Sequence, residues 1–210
     1  MRSFSRHTDY GSAGIDAATI NPDPMQEFAE WLQAAEGADL FEPNAMVVST
    51  VDPDGAPSAR TVLLKGLTAH GFEFVTNYGS RKGAALLEEA RVSLLFPWYA
   101  LKRQVIVDGV ATRMTTAESD ALFADRPHDS QVASAASRQS QPIESREALE
   151  ARVRALAEAH PQQVARPESW GGYRVVPTRI EFWQGRTSRL HDRIRFTRVG
   201  ANWTTERLQP

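Results

Sequence analysis

Apolar residues at Met25, Phe28, Trp31 and Leu32 recur at the three- and four-residue spacing of a helix that buries one face. Asp23 stands where an N-cap side chain can accept from free N–H groups, and Pro24 fits the first helical position. The helix should stop near Gly37. Beyond it the period changes. Residues 45–51 and 59–65 read as two strands flanking Asp52-Pro53-Asp54-Gly55, which predicts a hairpin. Further strands are expected at 72–77, 92–98, 103–111, 172–183, 193–198 and 203–208, with helices at about 81–90, 116–124 and 145–159. Short strands joined by tight turns, many apolar on both faces, imply a closed or nearly closed antiparallel barrel, so the fold class is mostly β with flanking helices. Residues 1–22 are polar and aperiodic, and are expected to form a flexible N-terminal arm ahead of a single domain spanning 23–210.

The charge balance narrows the function classes. With 24 Lys+Arg against 26 Asp+Glu, the net charge of -2 gives no global basic field for nucleic acid or an anionic membrane. Basic residues are concentrated locally instead: five arginines and one aspartate lie between Arg186 and Arg198, which suits a small anionic ligand. The chain has no cysteine, which excludes disulfides and thiolate chemistry and fits a reducing cytoplasm. Redox chemistry would need a borrowed cofactor. No segment has the apolar run of a signal peptide or a membrane span, so a cytoplasmic location is expected. The histidines at 7, 70, 128, 160 and 191 are too scattered for a metal site, and no GxSxG, HExxH or P-loop pattern occurs.

Four segments carry candidate chemistry. Read as extended chain, Arg189, His191, Arg193 and Arg195 share one face, where like charges repel unless something anionic, with a flat ring, lies against them. A solvated edge strand using charge against aggregation is the alternative. The helix after Thr76-Asn77-Tyr78-Gly79 begins Ser80-Arg81-Lys82 and ends Leu87-Glu88-Glu89, inverting the charges that a helix dipole favours. A phosphate held by the free N–H groups and the two cations would resolve that inversion, whereas an exposed helix tolerates it at a cost of about a few tenths of a kcal/mol per charge. Arg60 and Lys65 point to opposite faces of their strand, and taken alone fit edge snorkelling. Gln104 heads a strand amid apolar residues, where its amide can bond a heteroaromatic edge or a backbone group, and Ser137-Arg138-Gln139-Ser140-Gln141 reads as a polar loop.

In order along the chain, Arg60-Thr61-Val62-Leu63-Leu64-Lys65, Thr76 to Lys82, Ser93 to Trp98, Arg103-Gln104-Val105, Arg126 to Gln131, Ser137 to Ser140, Trp170 to Arg174, Glu181 to Arg193 and Arg207 to Pro210 together resemble the pyridoxamine 5′-phosphate oxidase family. The resemblance runs from about residue 22 to the end of the chain. It implies an FMN-binding split β-barrel, a homodimer with FMN at the subunit interface, and oxidation of pyridoxamine or pyridoxine 5′-phosphate to pyridoxal 5′-phosphate by O2, with hydrogen peroxide as product. Carried over by position, Arg60, Thr61, Val62, Leu63, Leu64, Lys65, Thr76, Arg81, Lys82, Gln104, Gln139, Ser140, Trp183 and Arg193 would contact FMN. Lys65, Arg126 and Ser130 would hold the substrate phosphate, and Arg189 and His191 would lie against the substrate ring as the catalytic pair.

One position departs from the pattern. The family usually shows a tyrosine four residues before the Arg of Arg126-Pro127, and this chain has Leu122 there. The departure keeps open a flavin oxidase of another substrate, as in phenazine biosynthesis, and a non-catalytic flavin- or pyridoxal-phosphate-binding protein is the third reading.

Overall fold

The computed structural model describes residues 9–210; the part of the expected arm at residues 1–8 lies outside the described residues. Helix α1 (Pro24–Gly37) starts as the sequence predicts: Met25 N–H donates to Oδ1 of Asp23 at 2.9 Å. Its apolar stripe sends Phe28 and Trp31 inward, and Phe28 meets Phe72 and Phe96 with ring centroids 4.8 and 4.7 Å apart. The helix therefore plugs the sheet that follows.

That sheet contains β1 (Ala45–Val51), β2 (Pro57–Leu63), β3 (Gly66–Thr68), β4 (Gly71–Asn77), β5 (Arg91–Trp98), β6 (Arg103–Arg113), β7 (Trp170–Gln184), β8 (Asp192–Val199) and β9 (Asn202–Leu208). Its order is β2-β1-β5-β6-β7-β4-β3, with β8 on β7 and β9 on β8, and all pairings are antiparallel. Strand β7 is the junction. Its first half pairs β4 and its second half pairs β8, while β6 runs along its other edge. Met46 and Val48 of β1, Leu94 and Phe96 of β5, Val105 and Val107 of β6 and Ile180 and Phe182 of β7 face the core, and the residues between them face outward. The pairing shifts register at Asp108/Gly109, where a Cβ on Gly109 would lie 2.4 Å from the Val176 carbonyl oxygen. Only a residue without a side chain fits there.

Helices α2 (Arg81–Glu88), α3 (Thr116–Ala124), α4 (His128–Ala136) and α5 (Arg146–Ala159) flank the sheet. Phe123, Val132, Val164 and Trp170 form a second, smaller core under α3, α4 and α5. Helix α4 and the short strand β3 were not expected from the sequence. His128–Ala136 buries only Gln131 and Val132, too little apolar surface to produce a helical period.

Candidate active site

The hairpin β1–β2 and the start of α2 build a cluster of cations. Arg60, on β2, donates from Nη1 to the Val48 carbonyl at 3.0 Å and to Thr50 Oγ1 at 2.9 Å, and from Nη2 to Ser58 Oγ at 2.6 Å. Arg81 donates from Nε to Oδ2 of the buried Asp52 at 2.7 Å, and its Nη2 reaches the same oxygen. Lys82, the next residue, turns inward: its Nζ donates to Thr76 Oγ1 at 2.9 Å and to Gln139 Oε1 at 2.8 Å. Burial, reinforced by the Arg60 charge, pulls the Lys82 ammonium down to about 8. Ser80 caps the helix by accepting from Gly83 N–H at 3.3 Å. The charge inversion seen in the sequence thus corresponds to a helix N-terminus where Arg60, Arg81 and Lys82 gather and Asp52 supplies one carboxylate.

A cavity of about 450 Å³ is lined by Leu63, Lys65, Val75, Leu122, Arg126 and Ser130 among others. Arg126 reaches it from between α3 and α4. One of its guanidinium nitrogens bonds Ser134 Oγ at 3.1 Å, and the group lies 5.3 Å from the Trp170 ring centroid. Its buried Nε has no hydrogen-bond partner. Leu122, the residue that departs from the family pattern, forms part of this cavity wall.

A third group stands on the outward face of the sheet. Gln104 of β6 sits opposite Trp183 of β7, and Trp183 sits opposite Arg193 of β8, so three expected FMN residues form one row across three strands. Thr61 and Val62 pair with Val47 and Met46 within the hairpin, and Leu64 follows it, buried. Ser140 adopts a left-handed φ of 70° just after Gln139.

The segment 186–193 is not the extended cationic face that its spacing implies. Thr187–Arg189 forms a 3-10 turn in which Ser188 and Arg189 take φ of 56° and 59°. Arg189 therefore leaves the strand, and β8 begins only at Asp192. The repulsion that the pattern posed is answered from within the chain. Arg193 forms a two-point ion pair with Glu181, with Nε at 2.7 Å and Nη2 at 3.0 Å, and Arg195 pairs with Glu206. Arg189 makes no ion pair or hydrogen bond among the described residues. Lys65 also lies beyond its strand, since β2 ends at Leu63 and the Lys65 N–H donates to the Glu73 carbonyl at 2.8 Å. The opposite-face relation expected between Arg60 and Lys65 on one strand does not apply.

His191 follows the turn. Its Nδ1 accepts from the Arg186 backbone N–H at 3.1 Å, and its ring packs against Trp183 at 4.6 Å and Tyr10 at 5.4 Å. Residues of the N-terminal segment bind here too: Thr187 N–H donates to the Gly11 carbonyl, and Ile15 N–H donates to Asp192 Oδ2 at 3.2 Å. Asp192 also receives Arg186 at 3.1 Å and Arg207 at 2.5 Å, so one buried carboxylate ties together the arm, the turn and the C-terminal strand. Neither Asp52 nor Asp192 stood out in the sequence. Asp192 could have been noticed as the one carboxylate in an arginine-rich stretch, whereas Tyr10, a lone aromatic in a polar arm, carries no signal.

A curled antiparallel barrel with three cations gathered around a buried aspartate, a cavity lined by Lys65, Arg126 and Ser130, and a Gln104–Trp183–Arg193 row on its outer face defines a split-barrel protein with donors suited to an anionic, ring-bearing ligand. Residues 26–160 match the family model for pyridoxamine 5′-phosphate oxidase, and residues 170–210 match that for the pyridoxine 5′-phosphate oxidase C-terminal dimerisation region. The chain belongs to the pyridoxamine 5′-phosphate oxidase family. It is 54% identical over 205 residues to a pyridoxine/pyridoxamine 5′-phosphate oxidase of Rubrobacter xylanophilus, covering 96% of this chain and 94% of that one. It is 50% identical over 209 residues to the protein of the same name from Thermobifida fusca, covering 96% and 95%. Among solved structures, PhzG from Burkholderia lata in complex with tetrahydrophenazine-1-carboxylic acid superposes with a TM-score of 0.90 at 32% identity, over 96% of this chain and 100% of that one. No helix among the described residues is long and apolar enough to cross a membrane.

Proposed function

We propose that the chain is an FMN-dependent oxidase that converts pyridoxamine and pyridoxine 5′-phosphate to pyridoxal 5′-phosphate, acting as a cytoplasmic homodimer. The observation that carries the substrate is the 450 Å³ cavity lined together by Lys65, Arg126 and Ser130. Two cations and a hydroxyl around one cavity are the donors that a phosphate monoester needs, and the volume suits a compact, single-ring ligand.

FMN fits the cation cluster for the same chemical reason. Arg60, Arg81 and Lys82 would hold its phosphate, aided by Thr76, Gln139 and Ser140, while Gln104, Trp183 and Arg193 would border its ring and the 61–65 segment would supply backbone contacts. Bound FMN supplies the hydride-accepting chemistry, with O2 as the final acceptor and hydrogen peroxide as product. The protein's own contribution is positioning. Arg189 lays a planar guanidinium against the substrate ring and stabilises charge as it develops, and His191 stands beside it.

Two features support the homodimer. The Lys65–Arg126–Ser130 cavity and the cavity bordered by His191, Arg207 and Pro210 share no lining residue, as expected if each contributes half of a site completed by a second copy. The C-terminal segment also matches a dimerisation region. A second copy would bring one chain's phosphate clamp to the other's Arg189–His191 turn.

Leu122 favours a second reading, an oxidase of a different ring compound like that bound to the Burkholderia lata protein, because it removes a hydroxyl from the clamp. The higher identity to the vitamer oxidases and the retained Lys65, Arg126 and Ser130 weigh for the first. Adding pyridoxamine 5′-phosphate to the yellow protein and measuring hydrogen peroxide separates them: stoichiometric peroxide and pyridoxal 5′-phosphate are expected, and flavin-loaded protein without turnover would refute the assignment.

A further inference from the structure

The cation cluster has a negatively charged centre. Asp52 closes the β1–β2 turn, where its own N–H donates to the Ala56 carbonyl at 2.8 Å and its carbonyl accepts from Gly55 N–H at 2.8 Å. Its backbone is therefore fixed, and its carboxylate is buried. One oxygen takes the Arg81 guanidinium. The other accepts from Ser58 Oγ at 2.9 Å, and that hydroxyl in turn accepts from Arg60 Nη2 at 2.6 Å. A single carboxylate thus holds two cations from separate elements, one directly and one through a serine.

The need for such an anchor follows from exposure. The side chain of Arg81 is 63% exposed while that of Asp52 is 9% exposed. An arginine so open to water would sample many rotamers and lose that freedom on gripping a ligand. Lys82, by contrast, is fixed by burial and by Thr76 and Gln139. Of the three cations, Arg81 depends most on an outside partner. Arg60 has two further acceptors of its own, Val48 and Thr50.

We propose that Asp52 is a positioning residue for the cofactor phosphate: it pre-orients Arg81, and through Ser58 Arg60, so that the cluster is assembled before the anion arrives. The inference rests on the reading that this cluster binds the FMN phosphate. It opposes the view that Asp52 is merely a counter-charge, since a counter-charge competes with a phosphate and its removal would tighten binding.

The test is FMN affinity, read by quenching of flavin fluorescence on titration into the full chain stripped of flavin, for Asp52→Asn, Arg81→Ala and the double variant. Asp52→Asn is expected to weaken FMN binding by about tenfold, the scale of one lost hydrogen bond to a charged group. In the Arg81→Ala background the same change should cost less than about threefold, because the group it orients directly is gone and Arg60 keeps Val48 and Thr50 as acceptors. Asp52→Glu, which keeps the charge, should recover part of the loss. Unchanged or tighter binding by Asp52→Asn overturns the proposal, and so does an equal loss in both backgrounds, which marks a general effect on folding. If Asp52→Asn does not fold, Ser58→Ala tests the other arm, with weaker FMN retention expected and unchanged retention overturning the proposal. If Arg81→Ala itself leaves FMN affinity intact, the phosphate reading of the cluster fails, a result distinct from failure of Asp52 alone.

Discussion

The backbone N–H of Arg186 donates to Nδ1 of His191 across a five-residue turn, at 3.1 Å. An N–H donor requires a lone pair, so the neutral ring carries its proton on Nε2, and the only nitrogen left for a ligand is a donor. Burial, and then the Arg189 charge, hold the imidazole below its usual range and keep it neutral. Because the folded-state value lies below the unfolded one, the unfolded chain binds more protons as pH falls through the ordinary histidine range. Stability tied to this site is therefore present above that range and lost as pH drops. His191→Gln, whose amide nitrogen can take the place of Nε2, should keep most turnover, while His191→Ala should lose at least about tenfold. Nitrogen NMR showing the proton on Nδ1 would contradict the assignment.

If Lys82 holds the cofactor phosphate, as proposed, its lowered value sets the sign of a pH dependence in FMN binding. Burial pulls the Lys82 ammonium down to about 8; a phosphate bound beside it would raise that value. FMN affinity is expected to be full below about pH 8 and to decline above it, by up to tenfold per pH unit, as the free protein loses the proton that the complex retains. Lys82→Gln should flatten the curve. A flat profile in the parent protein would show that Lys82 does not sense the phosphate.

If Arg189 acts on the reacting ring, as proposed, and not on the cofactor phosphate, Arg189→Ala should leave FMN bound and lower turnover by about a hundredfold. Release of the flavin with full residual activity would reverse that role.

Leu122→Tyr returns a hydroxyl to the wall of the Arg126 cavity. One neutral hydrogen bond is worth about 1 kcal/mol, so the KM for pyridoxamine 5′-phosphate should fall by about fivefold with kcat little changed. No change in KM would mean that the cavity does not receive the phosphate.

Gly83 sits in the first turn of α2, where a Cβ would lie 2.2 Å from the Tyr78 carbonyl oxygen. Gly83→Ala must push the helix off the β4 end, and with it Arg81 and Lys82. A loss of about 1–3 kcal/mol in stability is expected, together with weaker FMN retention. Retention of both in thermal melts and flavin titration would show that α2 can move freely.

Local chemistry made much of this readable in the chain. Asp23-Pro24 and the Phe28–Trp31 spacing specify α1, alternation and Asp52-Pro53-Asp54-Gly55 specify the β1–β2 hairpin, and the Arg81-Lys82 inversion marks a helix start whose charges oppose its dipole. Each is a relation among neighbours, governed by backbone geometry and the helix dipole. What depended on distant strands was hidden. Glu181 and Glu206 neutralise Arg193 and Arg195 because β7, β8 and β9 lie side by side. The left-handed turn that lifts Arg189 off the sheet, the inward path of Lys82 toward Gln139, and the service of one aspartate to two arginines likewise arise only when segments far apart in the chain are packed together. Spacing along a strand says which side chains share a face; which charge finds which partner is settled by sheet order and burial, since an ion pair's worth depends on the dielectric and the neighbours that folding supplies.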